Sequence, residues 1–265
     1  MTRSLLSRDF LNERLVPDLE ADTVQYFDHL RRYLYAQQFV AGKQVLDIAC
    51  GTGYGMQILH QGHAARVIGA DLSAAALRYA QTRYKLAALL QADGMYLPLP
   101  SSALEVVVSF ETLEHLPEPR RFLAEIQRVL CSNGLLILST PNRAAVSPNS
   151  VVPFSPYHQF EPTLPEFKAL LEGHGWQIVE LLGLTHSAHT AHLSTPTQAP
   201  YTRTSARHVA FMAYLRRAIR DFLPPILYRR LTTWRNITPL SLADSVLVSP
   251  ADDKSAYFVA RCVKV

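Results

Sequence analysis

The stretch Val45-Leu46-Asp47-Ile48-Ala49-Cys50-Gly51-Thr52-Gly53-Tyr54-Gly55 decides how this chain is read. Residues 45–48 are a short apolar run with β-branched side chains, the pattern of a buried parallel strand. The glycines follow with almost no spacer, and Met56, Ile58 and Leu59 open a helical pattern. A strand, a glycine turn and a helix in succession present backbone N–H groups and a helix N-terminus to a ligand, and glycine lets that ligand come close to the main chain. The spacing then separates two ligand classes. Pyrophosphate sites use G-x-G-x-x-G with no charge in the way, whereas here the third glycine comes one residue early. Asp47, four residues ahead of Gly51, would repel a pyrophosphate and suits a ligand that carries an ammonium group.

Outward from this unit, strands and helices alternate. Asp22 and Gln25 form a capping-box start for a helix over 22–41. Strands are expected over 66–70, ending at Asp71, over 89–92, ending at Asp93-Gly94, and over 105–110, ending at Phe110. After a helical turn over 112–116 and the Pro117/Pro119 break comes a helix with Phe122, Ile126 and Val129 facing inward, then a strand over 135–140. Prolines 141, 148, 153 and 156 make 141–157 an extended loop. Thr163 and Glu166 box a further helix, with Pro165 in its first turn, and strands over 176–184 and 257–263 close the chain. This rhythm predicts a doubly wound α/β sheet. The rhythm fails between 184 and 256, so residues 1–184 plus 246–265 read as one domain and 185–245 as a helical, arginine-rich insertion.

The pattern D-x-x-x-G-x-G resembles the first motif of class I S-adenosylmethionine (SAM) methyltransferases. Val-Ser-Phe-Glu-Thr-Leu-Glu-His-Leu over 108–116 and Ser-Thr-Pro-Asn over 139–142 are similar to the fourth- and fifth-strand motifs of their small-molecule O-methyltransferase branch, including the ubiquinone-biosynthesis type. The resemblance implies a Rossmann-like seven-stranded, mostly parallel sheet in the order 3-2-1-4-5-7-6, with the last strand antiparallel. It also implies a SAM cofactor held at the carboxyl ends of the strands. Asp47 would serve the ammonium and Asp71 both ribose hydroxyls, which an acceptor-only group can do. Asp93 would take the adenine amino group. Ala49, Gly51, Gly53, Leu72, Gly94 and Phe110 complete the expected cofactor contacts. No Asn-Pro-Pro-Tyr follows the fourth strand, which speaks against adenine or glutamine as acceptor.

Glu111, Glu114 and His115 stand at i, i+3 and i+4, so a helical turn points them the same way. The spacing resembles metal ligands in ubiquinone-pathway O-methyltransferases and in small-RNA 2′-O-methyltransferases, with His158 as a further ligand from the loop past the fifth strand. Mg2+ or another divalent cation is one reading of this group. A base or substrate-orienting pair, His115 with Glu114, is the other. In the first helix Tyr26, His29, Arg32 and Tyr33 have the spacing to close over the cofactor, whereas His186, His189 and His192 read as loop.

The net charge of +4 is unevenly placed. Residues 201–235 hold eight arginines against Asp221, so the rest of the chain is net acidic. That segment reads as core-facing helices with a solvated flank, as a lid, or as a peripheral contact of 204–235 with an anionic membrane. The acidic remainder disfavours nucleic acid as a partner. Three scattered cysteines, no apolar stretch of membrane-spanning length and no signal-peptide pattern give the expectation of a cytoplasmic protein, with the inner membrane face as the variant. The activity expected is methyl transfer to an oxygen of a small or lipid-linked acceptor. The rivals are a silent SAM-binding scaffold, an RNA 2′-O-methyltransferase and an NAD-dependent oxidoreductase.

Overall fold

The structure, a computed structural model, describes residues 14–20, 23–148, 150, 152–153, 155–186 and 241–264. The strands are β1 (Gln44–Ile48), β2 (Arg66–Asp71), β3 (Leu89–Gln91), β4 (Leu104–Phe110), β5 (Leu130–Pro141), β6 (Trp176–His186), β7 (Ser245–Val248) and β8 (Tyr257–Lys264). They hydrogen-bond in the order β3-β2-β1-β4-β5-β8-β6-β7. Pairing is parallel from β3 to β5 and antiparallel where β8 enters between β5 and β6. The sheet is the Rossmann-like one the alternation predicts, with one strand more. The extra strand, β7, pairs antiparallel with the end of β6, which itself runs two residues past the expected boundary to His186. A four-residue edge strand of the sequence Ser-Val-Leu-Val is too short to declare itself by periodicity.

Helices α1 (Val24–Ala36), α2 (Tyr54–Gln61), α3 (Ala74–Tyr84), α4 (Pro119–Val129) and α5 (Leu164–Glu172) cover the two faces. Successive residues of the central strands point to opposite faces, and both faces are buried, as a parallel sheet wrapped on each side requires. Leu46, Ile48, Val107 and Leu138 pack with Phe122, Ile126, Phe167 and Trp176. On the other side Val45, Val106, Val108 and Ile137 pack with Met56, Leu59 and Tyr33. In α1 the cap is Thr23, whose side chain accepts from the Tyr26 N–H, rather than Asp22, and the helix ends at Ala36 before a short 3-10 turn. The Thr163/Glu166 capping box of α5 forms as expected, with Pro165 in the first turn. The loop after β5 contains one helical turn, Arg143–Val146, capped by Asn142.

No helix among the described residues is long and apolar enough to cross a membrane. The helices expected within 204–235, the arginine cluster, His189 and His192 lie outside the described residues, as does most of the 185–245 insertion.

Candidate active site

The carboxyl ends of β1, β2 and β3 carry the three aspartates side by side. Asp47 is fully buried, and the Tyr33 hydroxyl bridges its two carboxylate oxygens at 3.1 and 3.2 Å. Burial pushes its acid up to about 8, with Asp71 adding to the rise and the Tyr33 hydrogen bond opposing it. In the following turn Ala49, Gly51 and Gly53 all have positive φ (57°, 54° and 81°). A side chain at Gly53 would also meet Ala80 Cβ at 2.6 Å, so that position is closed to other residues by backbone and by space. Gly55 lies against Tyr33, and a Cβ there would run into the ring.

Two backbone N–H groups aim the carboxylate of Asp71. Gly51 donates to Oδ2 and Ser73 to Oδ1, each at 2.8 Å. Each oxygen retains a lone pair for a further donor. Beside it Leu72 stands 68% exposed, an apolar side chain held open at the rim of the cleft. Asp93 Oδ1 accepts from the Met95 N–H at 2.9 Å, and Gly94 packs so tightly on Phe122 and Ile48 that a side chain would crowd both. The sequence reading missed the chain that crosses this cleft. Leu15 offers its carbonyl to the Thr52 hydroxyl at 2.9 Å, and an Arg14 guanidinium nitrogen lies 3.7 Å from Asp71. Asp18 anchors the segment on α3 through Tyr79 and Arg83. Contacts spanning some 60 residues leave no local signature.

The ends of β4, β5, β6 and β8 form the other half. The Phe110 ring meets Tyr33 edge-on at 5.0 Å. Glu111 has φ +52°, uncommon for a residue with a side chain. Its carboxylate accepts from the Ser139 hydroxyl at 2.7 Å and pairs with Arg32 at 3.3 Å. Arg32 is 1% exposed, lies over the Tyr257 ring at 4.7 Å, and finds no acceptor in hydrogen-bond geometry for Nε or Nη1 among the described residues. Its charge stays on: burial disfavours it, but Glu111 and Asp28 more than offset that. His186, read as loop, closes β6 and pairs with the buried Asp28 at 2.9 Å.

Glu114 is wholly enclosed. Thr140 donates to its Oε2 at 3.1 Å, while Oε1 has no hydrogen-bond partner among the described residues. Burial, then the charge of Glu111, pushes its acid well above the usual carboxylate range. His115 Nε2 lies 4.0 Å from that Oε1, and the rings of His115 and His158 meet at 4.8 Å, nearly perpendicular. One ligand-capable atom from each of Glu114, His115 and His158 falls within 4.8 Å of the others. Of the four residues expected to converge, these three do. Glu111 is turned to Ser139 and Arg32 and stands outside the cluster. A carboxylate and two imidazoles held this way can accept a proton or offer three donors to a cation.

A family model described as "Methyltransferase domain" matches residues 46–138. The chain is 35% identical over 181 residues to a "Probable S-adenosylmethionine-dependent methyltransferase" of Mycolicibacterium smegmatis, covering 68% of this chain and 70% of that one. It is also 35% identical over 121 residues to the "Phthiotriol/phenolphthiotriol dimycocerosates methyltransferase" of Mycobacterium tuberculosis, covering 44% of this chain and 45% of that one. Among solved structures, a SAM-dependent methyltransferase from Archaeoglobus fulgidus superposes with a TM-score of 0.60 at 17% identity, covering 97% of this chain and all of that one, which speaks for the fold alone. Length and identity of the first of these matches settle the family: the chain belongs to the S-adenosylmethionine-dependent methyltransferases.

Proposed function

We propose that the enzyme transfers the SAM methyl group to an oxygen of a small or lipid-linked acceptor, as the O-methyltransferase branch does. The observation that carries this is the grouping of Glu114, His115 and His158 just past Phe110. In this reading Asp47 holds the cofactor's ammonium, Asp71 its ribose hydroxyls and Asp93 its adenine edge. Ala49, Gly51 and Gly53 give the methionine end backbone without side chains in the way, and Leu72, Gly94 and Phe110 border the adenosyl group and sulfonium. The sulfonium is already an activated donor, so the protein's task is alignment of the acceptor at about 3–3.5 Å and removal of its proton. A hydroxyl is a weak nucleophile until its proton is removed, so a base cluster at this point supports an oxygen acceptor. The relative named for phthiotriol dimycocerosates supports a lipid-linked acceptor.

A divalent cation fits the cluster. Glu114 Oε1 is buried with no hydrogen-bond partner among the described residues, and two imidazoles face it. Two nitrogens and one carboxylate suit Mn2+, Fe2+ or Zn2+ better than Mg2+, which prefers oxygen. Glu114, His115 and His158 would hold the ion, and its chemistry there would be to lower the pKa of an acceptor hydroxyl.

Methyl-labelled SAM supplied with a lipid extract, and in parallel with phenols, saccharides and amines, tests the reading. Label recovered as ethers is expected. Label found only on nitrogen or carbon would overturn the oxygen assignment, and turnover indifferent to chelator would remove the cation.

A further inference from the structure

His158 takes its orientation from a residue that no motif singled out. Glu161 follows three positions later in the same loop and is 2% exposed. In its carboxylate Oε2 accepts from the Ser147 hydroxyl at 3.1 Å, and Oε1 meets His158 Nδ1 at 2.7 Å. Ionised, as pairing with an imidazole and a donated hydroxyl favours, Glu161 only accepts, so the proton of that contact sits on Nδ1. The nitrogen His158 has left to offer is therefore Nε2. His115 is treated in the same way. The Tyr157 carbonyl, also an acceptor only, takes its Nδ1–H at 3.1 Å, and Nε2 is the atom turned toward Glu114. The loop that supplies both partners is itself tied down, since the Gln159 N–H donates to the Glu114 carbonyl at 2.7 Å.

Both imidazoles are thus held as the Nδ1–H tautomer, the less favoured form of free histidine. A buried carboxylate is costly to keep in a fold unless it is well bonded. The charge-assisted bonds to Ser147 and His158 help to offset that cost, and one of them sets a ring. We propose that Glu161, anchored by Ser147, is a positioning residue of the acceptor site, holding His158 with Nδ1 protonated so that its Nε2 lone pair joins Glu114 and His115. The proposal rests on reading that cluster as a base or cation site.

Imidazole nitrogen NMR on the full chain, without added cation, reads the tautomer directly. His115 and His158 should both show the Nδ1–H pattern. Glu161→Leu, similar in bulk but with no acceptor, should move His158 to the Nε2–H pattern and leave His115 unchanged. Glu161→Gln, whose amide oxygen still accepts, should preserve it. Calorimetric titration with Mn2+ supplies the second readout, with affinity falling about 10–100-fold in Glu161→Leu and much less in Glu161→Gln, the range for loss of a ligand's outer partner. SAM affinity within about twofold of the parent in each variant would show that the fold and the cofactor half are intact. If Glu161→Leu does not fold, Ser147→Ala replaces it and should give His158 a mixture of the two tautomers.

A wild-type His158 in the Nε2–H form, or one unmoved by Glu161→Leu or its replacement Ser147→Ala, overturns the proposal. So does Mn2+ binding that Glu161→Leu fails to weaken. A tautomer that follows Glu161 in a chain that binds no Mn2+ would uphold the positioning role and retire the cation.

Discussion

The two halves of the cleft are built on different principles. On the side of β1–β3, backbone groups do most of the aiming: Ser73 and Gly51 amides on Asp71, the Met95 amide on Asp93, positive φ at Ala49, Gly51 and Gly53, with Tyr33 on Asp47 and Arg14 near Asp71 reaching in from farther away. On the side of β4–β8, side chain meets side chain over long separations: Glu111 with Ser139 and Arg32, Asp28 with His186, Arg32 with Tyr257. The first half presents preset donors and acceptors to a ligand of fixed shape. The second buries charge beside charge and leaves Glu114 Oε1 without a hydrogen-bond partner among the described residues, which is costly unless function requires it. The proposed reading, a common cofactor on one side and a particular acceptor on the other, fits that division.

The sharpest way to break the comparison is Glu114→Gln. It should lower methyl transfer by about 10²–10⁴-fold, the range for loss of acid–base assistance, with SAM affinity unchanged in calorimetry. Equal losses in both would mean the halves are not separable. Gly53→Val attacks the other half. A β-branched residue at φ +81° against Ala80 should cost about 3 kcal/mol in denaturant unfolding and abolish SAM binding.

Asp47→Asn is subtler and should weaken SAM by about 2 kcal/mol, the size of a charge-assisted hydrogen bond. It also carries a proton signature. Burial raises its acid to about 8, so in the proposed reading Asp47 gives up a proton when it meets the SAM ammonium. Calorimetry at about pH 6.5 in buffers of different ionisation enthalpy should therefore find close to one proton released per SAM, and none in Asp47→Asn. The sign for stability is set by the same shift. A raised acid contributes fully below its unfolded value of about 4 and loses that contribution as pH rises through its folded value, so the ligand-free wild type should lose thermal stability relative to Asp47→Asn across that window. The smallest effect belongs outside both halves. Arg143→Ala removes an ion pair with the half-exposed Glu166 and should change stability by less than about 1 kcal/mol and SAM binding not at all.

How far the sequence could be read follows the same line. Val45-Leu46-Asp47-Ile48 and the glycines behind it mark strand, turn and ligand class because each signal spans fewer than a dozen residues. The Thr163/Glu166 box and the aspartates closing β2 and β3 were legible for the same reason. Glu161 had a faint signal, three residues after His158 in a loop, and its meaning depends on Ser147 and on where the ring points. Arg14 and Leu15 over the cleft had none. Glu111 was placed with Glu114 by helical spacing, yet the turn at Leu113–His115 is a 3-10 one and Glu111 sits before it with positive φ, so its side chain leaves in another direction.

The sequence by itself determined the alternating sheet, the glycine turn and the acidic strand ends, because local sterics and hydrophobic periodicity act over a few residues, and the resemblance of that turn to a known motif pointed to the cofactor class. Only the tertiary structure decided which charges share a pocket. It set Arg32 against Glu111, His186 against Asp28 and His158 against His115, because burial and distance between remote segments are properties of packing and not of any stretch of chain.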